Sequence, residues 1–372
     1  MRRSIAFFLL VISSTLVAQD PYEFTTVIDL DATPVISQGR TGTCWSFSAS
    51  SFIESEIIRK TGKAIDLSEM YSVRHTYSVK AENYVMRQGK SQFSEGGLAH
   101  DMINSIRTNG LVPLNVYRGL EPNVDYHNHA ELAAVLESML DTYISKPGKK
   151  LSKNWKPAIN AVLDVYLGVR PEKFVYEGTT YTPQSFLKMT KINPDDYVSL
   201  TSFSHADFYS SFILNIPDNF SNGSFYNLPL DELIETLDNS LSNGYTVEFD
   251  CDVSEPTFSA KHALAVIPAD PTNNEAALKA IYPELAVTQN YRQDEFENFT
   301  TTDDHLMHII GQLKDQSGNK YYKVKNSWGG NSARISNDGY INMSESYMRL
   351  KTISITVHKD AIPRDIAKKI GF

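Results

Sequence analysis

The sequence is poor in cysteine and has no basic stretch. Its 372 residues include only Cys44 and Cys251. Two cysteines are too few for a disulfide-stapled scaffold or for a zinc site built on cysteine ligands. The formal net charge is -9. Nucleic-acid affinity comes mainly from lysine and arginine side chains that neutralise phosphates, which an acidic chain does not favour. We therefore expect neither a metal nor a nucleic-acid partner.

Long hydrophobic runs are missing beyond the first residues. Near the N-terminus, a basic start precedes an apolar run from Ile5 to Val17, which ends at Ala18. This pattern predicts a secretory signal peptide over residues 1–18, and therefore a secreted or periplasmic protein with no membrane partner after cleavage. The alternative is an uncleaved anchor, because Leu16 stands where a small residue usually precedes the cut.

The first third of the chain has helical patterns. Apolar residues recur at helical spacing over 44–60, with Thr41 or Thr43 as a candidate cap and Gly62 as a stop. A second helix is predicted over 97–109. Hydrophobic residues make up 41% of the chain, enough to bury a substantial core.

The rest of the chain changes from helical to β patterns. Residues 121–245 are mixed and polar, with helix-like pieces near 130–144, 154–167 and 229–242. Short strands separated by turn signals follow, at 246–249, 264–267, 306–312, 321–326, 340–343 and 353–357. A helical half followed by a β half predicts an α+β fold with a cleft between the halves.

One group of residues has the chemistry of a nucleophilic site. Cys44 lies at the first turn of a predicted helix, where unpaired N–H groups and the dipole are expected to lower a thiol pKa. His305 and Asn326 lie on adjacent predicted strands, so the amide can orient the imidazole. The amide of Gln38, with the Cys44 N–H, is a candidate for holding an oxyanion.

These segments carry a family resemblance. Residues 38–49 (QGRTGTCWSFSA) resemble the nucleophile segment of papain-like cysteine peptidases, and residues 304–307 (DHLM) resemble their histidine strand. Residues 325–329 (KNSWG) are similar to their Asn-Ser-Trp-Gly motif, and residues 95–97 (EGG) to the glycine pair that binds extended substrate. The three segments that carry Cys44, His305 and Asn326 occur in this order, which is a far more specific signal than a lone cysteine.

The resemblance implies a fold and further site residues. It implies a papain-like two-lobe fold, with a helical lobe, a β-barrel-like lobe and a large, mostly helical insertion. Gly96 and Gly97 are implied as substrate-binding residues, and Trp45 and Trp328 as supporting ones. The implied domains are 1–18 (signal peptide), 19–120 (helical lobe), 121–245 (insertion) and 246–372 (β lobe and tail). Residues 21–37 can cross from the helical lobe to the β lobe.

Parts of the insertion resemble bleomycin hydrolase and bacterial aminopeptidase C, notably residues 181–186 (YTPQSF) and 249–253 (FDCDV). The resemblance implies a cysteine aminopeptidase that acts on peptides, needs no cofactor and forms a homo-oligomer, a hexamer in the relatives. In those enzymes the C-terminal carboxylate binds the substrate amine. An open-cleft endopeptidase or a dipeptide-releasing enzyme is the alternative, and a catalytically silent binding protein is a third hypothesis.

Other candidates have simpler interpretations. His262 is a rival base, but no simple hairpin connects it with Asn326, and we expect a surface or core histidine. Cys251 is expected to be a buried small hydrophobe, and His308 a core residue. His127 and His129 form a candidate metal pair, but without nearby carboxylates a polar loop is the expected interpretation.

Overall fold

The computed structural model describes residues 21–120 and 123–372. The predicted signal peptide, residues 1–18, lies outside these residues. Within them, no helix combines the length and the apolar composition that crossing a membrane requires.

Helices dominate the first two thirds of the chain. In chain order they are α1 (Cys44–Thr61), α2 (Glu69–Met86), α3 (Ala99–Asn109), α4 (Ala130–Ile144), α5 (Trp155–Leu167), α6 (Pro183–Thr190), α7 (Leu230–Ser242), α8 (Asn274–Ala277), α9 (Gln289–Glu297), α10 (Glu345–Lys351) and α11 (Arg364–Ile370).

Strands occur mainly in the second half. They are β1 (Phe24–Asp29), β2 (Phe174–Tyr176), β3 (Thr179–Tyr181), β4 (Tyr197–Thr201), β5 (Ser211–Ile213), β6 (Ser224–Asn227), β7 (Val247–Cys251), β8 (Phe258–Ser259), β9 (Leu264–Ala265), β10 (His305–Asp315), β11 (Lys320–Lys325), β12 (Tyr340–Ser344) and β13 (Thr352–His358).

One large sheet organises the protein. The order of its strands is β5-β6-β4-β13-β7-β10-β11-β12-β9-β8, and β1 also pairs with β10. The long strand β10 is antiparallel to all its neighbours: its first half pairs with β7, its second half with β1, and β11 runs along its other edge. The strand that begins with His305 is therefore held on both sides by backbone hydrogen bonds.

Each face of the sheet is covered by its own hydrophobic core. Side chains alternate along a strand, so neighbouring residues enter different cores. Leu306 packs with the core formed by helices α1 to α6, whereas Met307 packs with the core that includes α7 and α11. The last residue, Phe372, packs edge-on against Tyr226 at a ring-centroid distance of 5.2 Å, and Tyr226 packs against the α7/α11 core. The C-terminal segment therefore lies on the face opposite to α1.

Polar contacts fix helix α1 on the sheet. The Ser48 hydroxyl donates to the Met307 carbonyl over 2.7 Å, and the Ser51 hydroxyl lies 2.9 Å from His308 Nδ1. Lys325 on β11 donates to Ser51 over 2.7 Å. His308 is buried and neutral, because burial and the Lys325 charge lower its pKa well below the usual value. It is a core residue, as the sequence predicts.

Most of the predicted elements are confirmed, with specific misses. Gly62 ends α1 in the left-handed conformation at φ 71°, but Thr43 occupies the N-cap position without a side-chain capping bond.

The sequence patterns did not predict helix α2. They also missed β4 to β6, which lie within residues 121–245 and extend the main sheet. These strands have three to five residues, too few for a clear alternation. The domain boundaries stay a prediction.

Candidate active site

Cys44 is the first residue of α1, directly after a tight turn. The turn is closed by Thr41, whose hydroxyl donates to the Gln38 carbonyl over 2.9 Å and lies 2.6 Å from the Thr43 hydroxyl. Because Thr43 is engaged with Thr41, it leaves the first N–H groups of the helix uncapped. Among the described residues, none accepts a hydrogen bond from the Cys44 backbone N–H. This donor is free for a ligand.

The Cys44 sulfur lies against the start of β10. The backbone N–H groups of Leu306, the residue after His305, and of Trp45 act on the sulfur and lower its pKa. Burial has the larger, opposite effect, and with the charges of Asp218 and Asp250 it raises the Cys44 pKa to about 12. The expectation of a lowered pKa is therefore wrong for the free site, because desolvation of the thiolate outweighs the helix terminus.

His305 and Asn326 form a direct pair. His305 Nε2 lies 2.8 Å from Asn326 Oδ1, and the Ser327 backbone N–H donates to the same oxygen over 2.7 Å. Since a backbone donor fixes Oδ1 as an acceptor, Nε2 must carry the imidazole proton. The Nδ1 atom is then left with a lone pair, as a base requires. Burial lowers the His305 pKa to about 4, although the Asn326 bond acts in the opposite direction.

Trp328 covers this pair. Its ring lies 4.9 Å from the His305 ring, centroid to centroid, and is also 5.8 Å from the Phe258 ring in an edge-on arrangement. Trp328 is 36% exposed, so it separates the histidine from solvent. A hydrogen bond in such a low-dielectric setting is stronger than one in water.

Gln38 is hydrogen-bonded both to the turn before Cys44 and to the residue that follows Asn326. Its side-chain Nε2 donates to the Thr41 carbonyl over 2.7 Å, and the Ser327 hydroxyl donates to its Oε1 over 2.5 Å. Its backbone N–H also donates to the Ser327 carbonyl over 2.8 Å. The amide is thereby fixed beside the turn that leads to Cys44, with its NH₂ group toward that turn.

Residues 95–97 (EGG) form the wall of the site opposite the start of β10. The Glu95 carboxylate accepts the Gly42 N–H over 2.7 Å, and Trp45 Nε1 donates to the Glu95 carbonyl over 3.1 Å. A Cβ atom at Gly97 would lie 3.2 Å from the Trp45 ring, so close packing explains a glycine there. The buried Trp45 thus connects the nucleophile helix with Gly96 and Gly97.

Two charged residues at this wall were missed by the sequence reasoning. The Asp218 carboxylate lies directly against Gly96, where any Cβ atom would overlap its oxygens. The buried Lys80 ammonium on α2 donates to the Gly96 carbonyl. Asp218 follows Pro217 in an ordinary polar turn, and Lys80 lies within a helix that was not predicted. No motif signal marks either of them.

The remaining candidates have other roles. Cys251 on β7 is paired in register with His305 but is buried in the α7/α11 core, and both cysteines are free. His262 is exposed. His129 Nδ1 lies 2.9 Å from the Tyr77 hydroxyl, and burial lowers the pKa of His127 to about 4 and of His129 to about 3. Within the described residues, the one acidic cluster with metal-like spacing is Glu54, Asp66 and Glu69, and it contains no histidine.

The arrangement is that of a papain-like cysteine peptidase with an α+β fold. A family described as the Peptidase C1-like family matches residues 84–371, which is most of the chain. The protein therefore belongs to this family. The matched range begins after α1, so the Cys44 segment lies outside it.

Individual relatives agree with this membership. Aminopeptidase G of Lactobacillus delbrueckii subsp. lactis is 22% identical, over 91% of this chain and 83% of the relative. Cysteine proteinase 1, mitochondrial, of Saccharomyces cerevisiae (strain JAY291) is 23% identical, over 94% and 80%. The crystal structure of pepw from Lactobacillus rhamnosis has a TM-score of 0.72 at 20% identity, covering 93% of this chain and 84% of that one. This similarity shows the fold.

Proposed function

We propose that the protein is a cysteine aminopeptidase that hydrolyses peptides through a thioester on Cys44. The observation that carries the proposal is the bond of 2.8 Å between Asn326 Oδ1 and Nε2 of His305, next in the chain to Leu306, whose backbone N–H acts on the Cys44 sulfur. This pair supplies an oriented base next to a nucleophile. The aminopeptidase names of the relatives support the choice of substrate.

In the proposed reaction the resting pair is neutral. The high pKa of Cys44 and the low pKa of His305 both favour thiol and imidazole. As the sulfur attacks the substrate carbonyl carbon, its proton passes to His305 Nδ1. The imidazolium then gives this proton to the leaving amine, and a thioester remains. Water, deprotonated by His305, hydrolyses the thioester and releases the acid and the thiol.

Gln38 and the Cys44 backbone N–H are the proposed oxyanion donors. Replacing Gln38 with alanine should lower kcat about 10²- to 10³-fold, the usual cost of one such donor. The measurement is steady-state hydrolysis of an aminoacyl arylamide. Gln184→Ala is the matched control, because Gln184 is exposed on α6 and should leave kcat unchanged. Equal rates for the two variants would remove Gln38 from the mechanism.

The aminopeptidase assignment is tested with paired substrates. An aminoacyl arylamide with a free α-amine and its N-acetylated twin differ only in the charge of the terminal group. We expect the wild-type enzyme to cleave the free-amine substrate with a kcat/KM at least about tenfold higher, since a charge-assisted contact is worth that much. Equal cleavage of both would contradict the assignment.

One observation favours the open-cleft alternative. The segment that includes Phe372, which the resemblance would place in the cleft, packs instead against Tyr226 beside the α7/α11 core. If nothing else recognises the amine, the same catalytic residues would serve an endopeptidase or a dipeptide-releasing enzyme. In that case the N-acetylated twin would be cleaved as well as the free-amine substrate.

Export and assembly are further parts of the proposal. The basic and apolar pattern of residues 1–18 supports secretion or a periplasmic location. A homo-oligomer, a hexamer by resemblance, is the proposed assembly. Peptides are the proposed partners, without a nucleic acid, a cofactor or a membrane.

A further inference from the structure

A carboxylate occupies one end of the cleft next to Cys44. Asp218 belongs to a loop between β5 and β6, and its oxygens fill the space beside Gly96. No hydrogen bond or salt bridge from the described part of the chain reaches these oxygens. Its charge is close enough to the Cys44 sulfur to raise the thiol pKa. A carboxylate without a partner at this place is suited to a cationic ligand.

The loop that carries Asp218 is rigid. The Asn219 side chain donates to the carbonyls of Leu214 and Gly223 over 2.8 and 2.9 Å, and accepts the Gly223 N–H over 2.7 Å. The Asp218 N–H donates to the Asp303 carboxylate over 3.0 Å. Because Asp303 lies two residues before His305, the loop connects the glycine wall with the histidine wall. The backbone of Asp218 is therefore anchored before substrate arrives.

In the described part of the chain, no salt bridge joins the nearby Lys80 to Asp218, although the lysine charge stabilises the carboxylate. The Lys80 ammonium is directed to the Gly96 carbonyl and lies 4.7 Å from the centroid of the Phe220 ring. The charged groups that face Asp218 are Asp303, Lys80 and Asp101, and two of the three are acidic. Burial and Asp303 raise the pKa of Asp218 to about 7, whereas Lys80 lowers it. A second ammonium group at this carboxylate would favour its ionised form.

We propose that the Asp218 carboxylate binds the free α-ammonium group of the substrate and limits the enzyme to removing one residue at a time. This inference rests on the proposed aminopeptidase function. The amine of a substrate's first residue is two bonds from the carbonyl carbon under attack, and the Asp218 charge already acts on the sulfur that attacks this carbon. A longer substrate would have to continue through the space that Asp218 fills.

The test compares Asp218→Asn with the wild type on a free-amine aminoacyl arylamide and its N-acetylated twin. Loss of a charge-assisted contact should lower kcat/KM for the free-amine substrate about 10- to 100-fold, mainly through KM. Cleavage of the acetylated twin should stay the same or rise. Asp207→Asn removes an exposed carboxylate in the β4–β5 connection and should match the wild type.

Labelling of Cys44 with a thiol-directed epoxide shows that each variant is folded, and Asp218→Ser gives a second substitution if Asp218→Asn fails this control. A free-amine preference that survives in a labelled Asp218 variant would overturn the inference and leave the aminopeptidase function standing. A wild-type enzyme without that preference would instead overturn the function itself. Faster release of dipeptides than of single residues by the wild type would overturn the limit to one residue.

Discussion

Replacing Cys44 with alanine is expected to abolish peptide hydrolysis. No other described side chain at the start of α1 can form the thioester, and loss of a catalytic nucleophile commonly costs on the order of 10⁴- to 10⁶-fold in kcat. The measurement is hydrolysis of a free-amine aminoacyl arylamide, with covalent labelling by a thiol-directed epoxide as a second readout. The variant should neither turn over the substrate nor take up the label.

Cys251→Ala is the matched control for this experiment. Cys251 is as deeply buried as Cys44 and is paired in register with His305, but it belongs to the α7/α11 core, whereas Cys44 belongs to the core of α1 to α6. Its replacement removes one buried sulfur and should leave kcat near the wild-type value. If Cys251→Ala were the inactive variant and Cys44→Ala the active one, the assignment of the nucleophile would be reversed.

Replacing His305 with alanine has the second largest expected effect. Without the imidazole, the thiol has no base to take its proton, and burial holds the Cys44 pKa at about 12, so little thiolate exists at neutral pH. We expect a loss of kcat of at least about 10⁴-fold, comparable to the loss of other catalytic bases. Epoxide labelling should slow as well, since it needs the thiolate.

The rival histidine supplies the control. His262 is exposed, and His262→Ala should retain wild-type kcat and labelling. A His305→Ala variant that folds and keeps normal turnover would rule out the pairing of His305 with Asn326 as the catalytic base. Circular dichroism of both variants separates a loss of chemistry from a loss of structure, because His305 is buried and His262 is not.

The sequence predicts the local chemistry of the site well, for a physical reason. A nucleophile at a helix start, a histidine at a strand start and an amide at the end of the next strand are short-range patterns. The spacing of His305 and Asn326 alone requires adjacent antiparallel strands, and β10 and β11 are such a pair. The orientation of Asn326 also follows from a neighbour, because the Ser327 N–H holds its oxygen.

Long-range effects could not be predicted in this way. The Cys44 pKa depends on how completely the folded walls exclude water, and no local pattern measures that exclusion. Asp218 and Gly96 are 122 positions apart (218 - 96), and they meet only because the β5–β6 loop crosses the cleft. Strands β4 to β6 were missed for the same reason: their pairing with β13 and with one another is tertiary.

The bonds that join Ser48 and Ser51 of α1 to β10 and β11 have a consequence for control of the enzyme. The sulfur and the imidazole are carried by elements that share one core, so their alignment is as durable as the fold itself. Control of activity that spares the fold is therefore expected to act on entry to the groove or on the sulfur itself.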